Sequence, residues 1–152
     1  MVRRQLEGVP VGRIPVIDDD AAVLGVAELL LKRAGHLVVV ARQAKAGLRT
    51  LQREPFDLVI VDIFMPEMDG LETINEVHRL RPGLPVIVMS GYQFEAAVAP
   101  RPDFLHMARA LGATTSLKKP FRSADLMHAV SNCLALDASV RPTEHERRPR
   151  GR

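Results

Sequence analysis

Two stretches of this chain are apolar without interruption. "FDLVIVD" (residues 56–62) and "LPVIVMSG" (84–91) are too short for buried helices and rich in β-branched residues. A strand with one face in water would alternate polar and apolar side chains. These do not, so both faces must be covered, and that requirement points to a parallel sheet sandwiched between helices. The rest of the chain supplies the partners. "RIPVID" (13–18), "HLVVVAR" (36–42) and the short "TTSLKK" (114–119) are further strands. Apolar residues at helical spacing mark helices over 21–35, ending at Gly35, over 43–54, ending before Pro55, and over 71–80, after Asp69-Gly70. Two more follow over 105–113 and 123–136, the last with Ser123 as its expected N-cap. Five strands alternating with five helices, joined by right-handed crossovers, make an α/β doubly wound parallel sheet.

Apolar residues form 47 % and charged residues 26 % of the 152 positions, an ordinary composition for one domain with a real core. No apolar run reaches the roughly 18–20 residues of a membrane span. The basic N-terminus is not followed by the apolar core of a signal peptide. The single Cys133 has no partner for a disulfide and no Cys/His neighbourhood for zinc, so a reducing cytoplasm is expected. The net charge of +3 sits at the ends: residues 1–13 and 137–152 each carry +2, which leaves −1 for residues 14–136. The expected organisation is an N-terminal extension (1–12), one folded domain (13–136) and a basic, proline-punctuated, disordered tail (137–152). A long loop with a partial helix is expected over 92–104.

In an open parallel sheet, chemistry gathers beyond the carboxyl ends of the strands. Asp18, Asp19 and Asp20 end the first strand, Asp62 the third, Ser90 and Gly91 the fourth, and Lys118 and Lys119 the fifth, before Pro120. Carboxylates brought together from two strands repel unless a cation joins them. Hard oxygen donors suit Mg²⁺, and a lysine can hold a phosphoryl oxygen as a point charge. A carboxylate nucleophile, a divalent metal, a lysine and a serine are together the parts of an aspartyl-phosphate site. Singly, each is ordinary: one acid of 18–20 caps the next helix, Asp69-Gly70 is a turn, and Met65 and Met68 are packing.

"VIDDD" (16–20), "VDIFMPEMDG" (61–70), "VIVMSG" (86–91) and "LGATTSLKKPF" (111–121) resemble the receiver domains of two-component response regulators, over residues 13–136. The resemblance implies the flavodoxin-like strand order 2-1-3-4-5. It implies that Asp62 accepts a phosphoryl group from a histidine kinase or histidine phosphotransfer protein. Asp19 and Asp62 would bind Mg²⁺ directly, Asp18 through water, and Phe64 through its backbone carbonyl. The Ser90 hydroxyl and the Lys119 ammonium would contact the phosphoryl group, and Lys118 would point away; the bond corresponding to Lys119–Pro120 is often cis in such domains, and the sequence leaves its isomer open. The output is then conformational switching and protein contact, through a face of the fourth helix, fifth strand and fifth helix that also suits a homodimer. Such a domain is a phosphoacceptor and not a turnover enzyme. No membrane contact and no direct DNA binding are expected, since no helix-turn-helix segment follows residue 136, and a stand-alone receiver with an unknown downstream protein is the favoured form.

Three departures from the family pattern stand out. Ser116 occupies the position of the switch aromatic. Twenty-nine positions separate Ser90 from Lys119, several more than usual, with the excess in 92–104. Pro15, which cannot donate to a ladder, lies in the first strand and is expected near the start of its paired segment. Phe64 and Tyr92 would flank the path of attacking water and slow dephosphorylation. Two rivals are a phosphorylation-independent interaction module and a small Mg²⁺-dependent phosphatase of the haloacid-dehalogenase type using Asp18-x-Asp20.

Overall fold

The computed structural model describes residues 10–66, 68, 70–91 and 109–140. Five strands form one parallel sheet: β1 (Arg13–Ile17), β2 (Leu37–Ala41), β3 (Val59–Asp62), β4 (Val86–Ser90) and β5 (Thr115–Lys118). Their order is β2-β1-β3-β4-β5. Four helices lie among the described residues: α1 (Ala21–Arg33), α2 (Ala44–Arg53), α3 (Gly70–Leu80) and α4 (Ser123–Val140). Of the helix expected over 105–113, residues 105–108 lie outside the described residues, Arg109 and Ala110 are helical, and a turn follows. The expected loop over 92–104 also lies outside them.

The continuous apolar runs are explained by two cores, one on each face of the sheet. Val59, Val61, Val86 and Val88 pack with α2 and α3 residues such as Leu48, Leu51, Ile74 and Val77. Their chain neighbours Ile60, Ile87 and Met89 pack with α1 and α4 residues such as Leu24, Leu31, Leu126 and Leu134. Successive side chains of β3 and β4 therefore enter opposite cores, and a polar residue at any of these positions would be buried unpaired.

Helix ends follow local chemistry. Gly35 adopts φ 92° after α1, and the His36 and Gly35 amides donate to the Leu31 and Lys32 carbonyls, the paired bonds of a left-handed helix stop. Three expectations need correction. Ser123 is the first residue of α4 and not its cap, and the Leu126 amide bonds to the Arg122 carbonyl. The helix continues to Val140, four residues beyond the expected end at Leu136. Gly70 is the first residue of α3 and not only a turn residue.

Pro15, expected near the start of the paired segment of β1, is a further correction with two sides. Towards β2 it sits mid-ladder, opposite Val39. The Gly12 carbonyl and the Asp18 amide both bond to the β2 side, at Leu37 and Ala41, so the even-numbered residues face β2 and Pro15 faces β3. There it lacks a donor, and the registered β1–β3 pairs begin just after it, at Val16↔Ile60. Upstream the gap is closed by Asp57, whose amide donates to the Arg13 carbonyl at 2.9 Å while its carboxylate accepts the Arg13 amide at 2.9 Å. The strand is not diverted, and Asp18 emerges fully buried at its end.

Candidate functional site

The carboxyl edge of the sheet assembles from hydrogen bonds between strand ends. The Asp18 amide donates to the Ala41 carbonyl at 3.0 Å, and Asp18 Oδ1 accepts the Asp20 amide at 2.9 Å. Asp20 turns away to cap α1, accepting from the amides of Ala22 at 2.9 Å and Val23 at 3.4 Å. That engagement leaves Asp20 outside the acidic cluster and counts against a D-x-D phosphatase arrangement. Asp19 is exposed. Carboxylate oxygens of Asp18, Asp19 and Asp62 lie within 4.8 Å of one another.

Asp62 ends β3 and is 4 % exposed. Its Oδ1 accepts the Phe64 amide at 3.2 Å. The loop that follows is held shut by Gly70, whose amide donates to the Ile63 carbonyl at 2.9 Å. A β-carbon on Gly70 would lie 2.2 Å from that same oxygen, so only glycine allows the approach.

Lys119 completes the cluster. Its amide donates to the Ser90 carbonyl at 2.7 Å, which ties β5 to the end of β4. Its ammonium lies 2.5 Å from Asp18 Oδ2 and 3.3 Å from Asp62 Oδ2. The contact with Asp18 is a short ion pair, and among the described residues no other group donates to Asp18 Oδ2. The Lys119–Pro120 bond is cis. Lys118 is exposed on β5, opposite Ser90 in the register. Ser90 is 5 % exposed at the end of β4.

The electrostatics are those of a site short of positive charge. Burial first, and the Asp18 carboxylate second, push the Asp62 pKa up to about 6, against the smaller opposing pull of Lys119 and the Phe64 amide. Burial alone would lower the pKa of Lys119, but Asp18 and Asp62 outweigh it and the ammonium is held more firmly. One lysine cannot neutralise three converging carboxylates. Hard oxygen donors around an under-bonded, buried carboxylate oxygen fit a small divalent cation.

Elsewhere, Phe64 is 41 % exposed. Ser116 is partly exposed, opposite Val88 on β4. Tyr92 lies outside the described residues. Sequence reasoning assigned nothing to the end of β2, yet Arg42 stands there, directly after the carbonyl that binds the Asp18 amide. Arg42 and Asp19 line an open cleft of ≈ 440 Å³, with Met65 and Pro66 from the loop after Asp62. The signal was available: β2 is the only strand whose carboxyl end had been left without a polar assignment.

A doubly wound sheet here gathers an acid cluster and a lysine at its carboxyl edge, where ligands of this architecture bind. Residues 14–131 match the response regulator receiver domain, and the chain belongs to that family, the receiver domains of two-component systems. It is 36 % identical over 124 residues to the transcriptional regulatory protein GlrR of Escherichia coli strain K12, covering 81 % of this chain and 26 % of GlrR. It is 35 % identical over 127 residues to the DNA-binding transcriptional regulator NtrC of Bradyrhizobium sp. (strain RP501 Parasponia), covering 83 % of this chain and 25 % of that protein. The chain thus spans about a quarter of the length of the curated relatives it matches. Among solved structures, a CheY-like receiver domain protein from Methanospirillum hungatei JF-1 is similar with a TM-score of 0.76 at 29 % identity, over 85 % of this chain and 98 % of that one. NtrX from Brucella abortus gives a TM-score of 0.76 at 26 % identity, over 90 % of this chain and 30 % of that one. No helix among the described residues is long and apolar enough to cross a membrane.

Proposed function

We propose that Asp62 accepts a phosphoryl group from a phosphohistidine of a sensor histidine kinase or histidine phosphotransfer protein. The observation that carries this reading is the shared contact of the Lys119 ammonium with Asp18 and Asp62, at 2.5 and 3.3 Å, inside a cluster of three carboxylates. An Asp62 oxygen attacks phosphorus, the bond from phosphorus to the imidazole nitrogen breaks, and the imidazole leaves with the electron pair. A pKa near 6 leaves Asp62 ionised at neutral pH yet more basic than an ordinary aspartate, which suits a nucleophile. Lys119 holds a phosphoryl oxygen, and the Ser90 hydroxyl donates to another. Mg²⁺, held by Asp19, Asp62 and the Phe64 carbonyl directly and by Asp18 through water, would supply the positive charge that the transfer needs.

Phosphorylation removes the Asp62 charge and creates new partners for Ser90 and Lys119. Those contacts favour one arrangement of the neighbouring loops, and the shift is passed on by protein contact or by pairing of two receivers. The domain works in the cytoplasm as a phosphoacceptor, with no membrane or DNA contact of its own. One observation favours a second reading, a receiver that binds its partner whether or not it is phosphorylated: Ser116 replaces the switch aromatic beside Val88. Intact mass after incubation with Mg²⁺ and acetyl phosphate tests the main reading. One phosphoryl adduct is expected on the wild type, and none on Asp62→Asn or without Mg²⁺. An adduct on Asp62→Asn would exclude it.

A further inference from the structure

Four of the five strand ends have a role in the proposed site, and β2 has none. Its end is nevertheless fixed to the site: the Ala41 carbonyl holds the Asp18 amide at 3.0 Å, so the next residue, Arg42, emerges one strand away from the acid cluster. Arg42 is exposed, and among the described residues it forms no ion pair. It lines the ≈ 440 Å³ cleft together with Asp19, one of the three clustered acids, and with Met65 and Pro66, which follow Asp62 in the chain. A solvated surface arginine needs no cleft. Here a free guanidinium shares one opening with Asp19, whose carboxylate lies within 4.8 Å of those of Asp18 and Asp62. Those carboxylates repel an incoming phosphate, and the cleft offers one cation to offset them. A guanidinium presents its donors in a fork that matches phosphoryl oxygens two at a time, which an ammonium does not.

We infer that Arg42 is a donor-binding residue: the cleft is the approach for small acyl phosphates and phosphoramidates, and the Arg42 guanidinium engages the phosphoryl oxygens of the donor before transfer. The inference rests on the phosphoacceptor role of Asp62 and deepens it. The transfer is balanced within the donor. An Asp62 oxygen forms the bond to phosphorus; with acetyl phosphate the bond from phosphorus to the acetate oxygen breaks and acetate departs with the electron pair, and with phosphoramidate, protonated on nitrogen, the phosphorus–nitrogen bond breaks and ammonia departs with the electron pair.

Phosphorylation rates, read as intact mass against donor concentration at fixed Mg²⁺, test it for acetyl phosphate and for phosphoramidate. For Arg42→Ala the half-saturating concentration should rise about tenfold for both donors, as loss of a charge-assisted contact does, with the maximal rate little changed. Arg42→Lys should fall between that variant and the wild type. Arg49→Ala, which removes an exposed cation of α2 that does not line the cleft, should behave as wild type. An unchanged half-saturating concentration in Arg42→Ala overturns the inference. So does an equal shift in Arg49→Ala, which would make the effect a general field, or a fall in maximal rate alone, which would make it structural. If the wild type takes no phosphoryl group from either donor, the Asp62 reading fails and this one falls with it; a wild-type adduct with no Arg42 effect overturns this one alone.

Discussion

The two edges of the sheet treat their polar groups in opposite ways. At the amino edge each has a fitting partner. The Gly12 amide donates to His36 Nδ1 at 3.1 Å, the Arg13 amide to Asp57 Oδ2 at 2.9 Å, and the Arg13 guanidinium to Glu54 at 2.9 Å. Burial lowers the His36 pKa, and the neutral ring is the form that can accept the Gly12 proton. At the carboxyl edge, Asp18 Oδ2 has the Lys119 ion pair and, among the described residues, no other donor, and Asp62 is pushed well above an ordinary aspartate. Satisfied buried polar groups build a fold, whereas unsatisfied ones cost stability and persist where they serve chemistry.

The contrast is broken most sharply at Asp62. Removing its charge should abolish phosphoryl uptake, yet make the metal-free protein more stable. In the folded protein Asp62 keeps its proton up to about pH 6, against an ordinary value of 3.8. Between those values the folded state binds the additional proton, so this group's contribution falls as pH rises, and above about pH 6 the full penalty is present, on the order of 3 kcal/mol. Urea unfolding in a chelator at pH 4 and pH 7.5 should show Asp62→Asn gaining on the wild type at the higher pH. Taking the difference between the two proteins cancels the titration of His36. Equal stability of the two at both pH values would contradict the strained-site account.

At the opposite edge the same kind of change should do the reverse. Asp57→Ala removes the acceptor of the Arg13 amide, where Pro15 already leaves β1 short of a donor towards β3. It should destabilise the fold by about 1–2 kcal/mol, seen as a lower urea midpoint, with phosphoryl uptake unchanged in rate. Loss of uptake at full stability would mean that the two edges are not separable.

A smaller effect is expected from Phe64, 41 % exposed and two residues past Asp62. As a bulky apolar group beside the path of water, it should slow spontaneous dephosphorylation. Phe64→Asn should shorten the lifetime of the phosphoprotein, followed by intact mass after donor removal. A wild-type half-life of only seconds, or a lifetime that Phe64→Asn leaves unchanged, would count against it.

The sheet and most of the site were legible because contiguous strings carry them. Apolar runs define β3 and β4, and Asp62 and Lys119 each close a strand. What escaped depends on contacts between strands or on backbone geometry. Arg42 could be found by its place at a strand end, but nothing in "HLVVVAR" announces the Ala41–Asp18 bond that sets that end beside the acid cluster. The repair of β1 by Asp57 is likewise a contact over 44 residues of sequence. Gly70 looks like any turn glycine until the Ile63 carbonyl is found where its β-carbon would go. The end of α4 was a local miss. "DASV" contains no helix breaker, and Pro142, which disfavours helix at the residue before it, was the better stop signal.

The central claim is that phosphoryl transfer falls on Asp62 and on no other acid of the cluster. Treating the phosphorylated protein with borohydride reduces an aspartyl phosphate to homoserine, and peptide mass spectrometry locates it. The account predicts homoserine at position 62 alone. Homoserine at Asp18 or Asp19, or a phosphoryl group resistant to reduction, would contradict it.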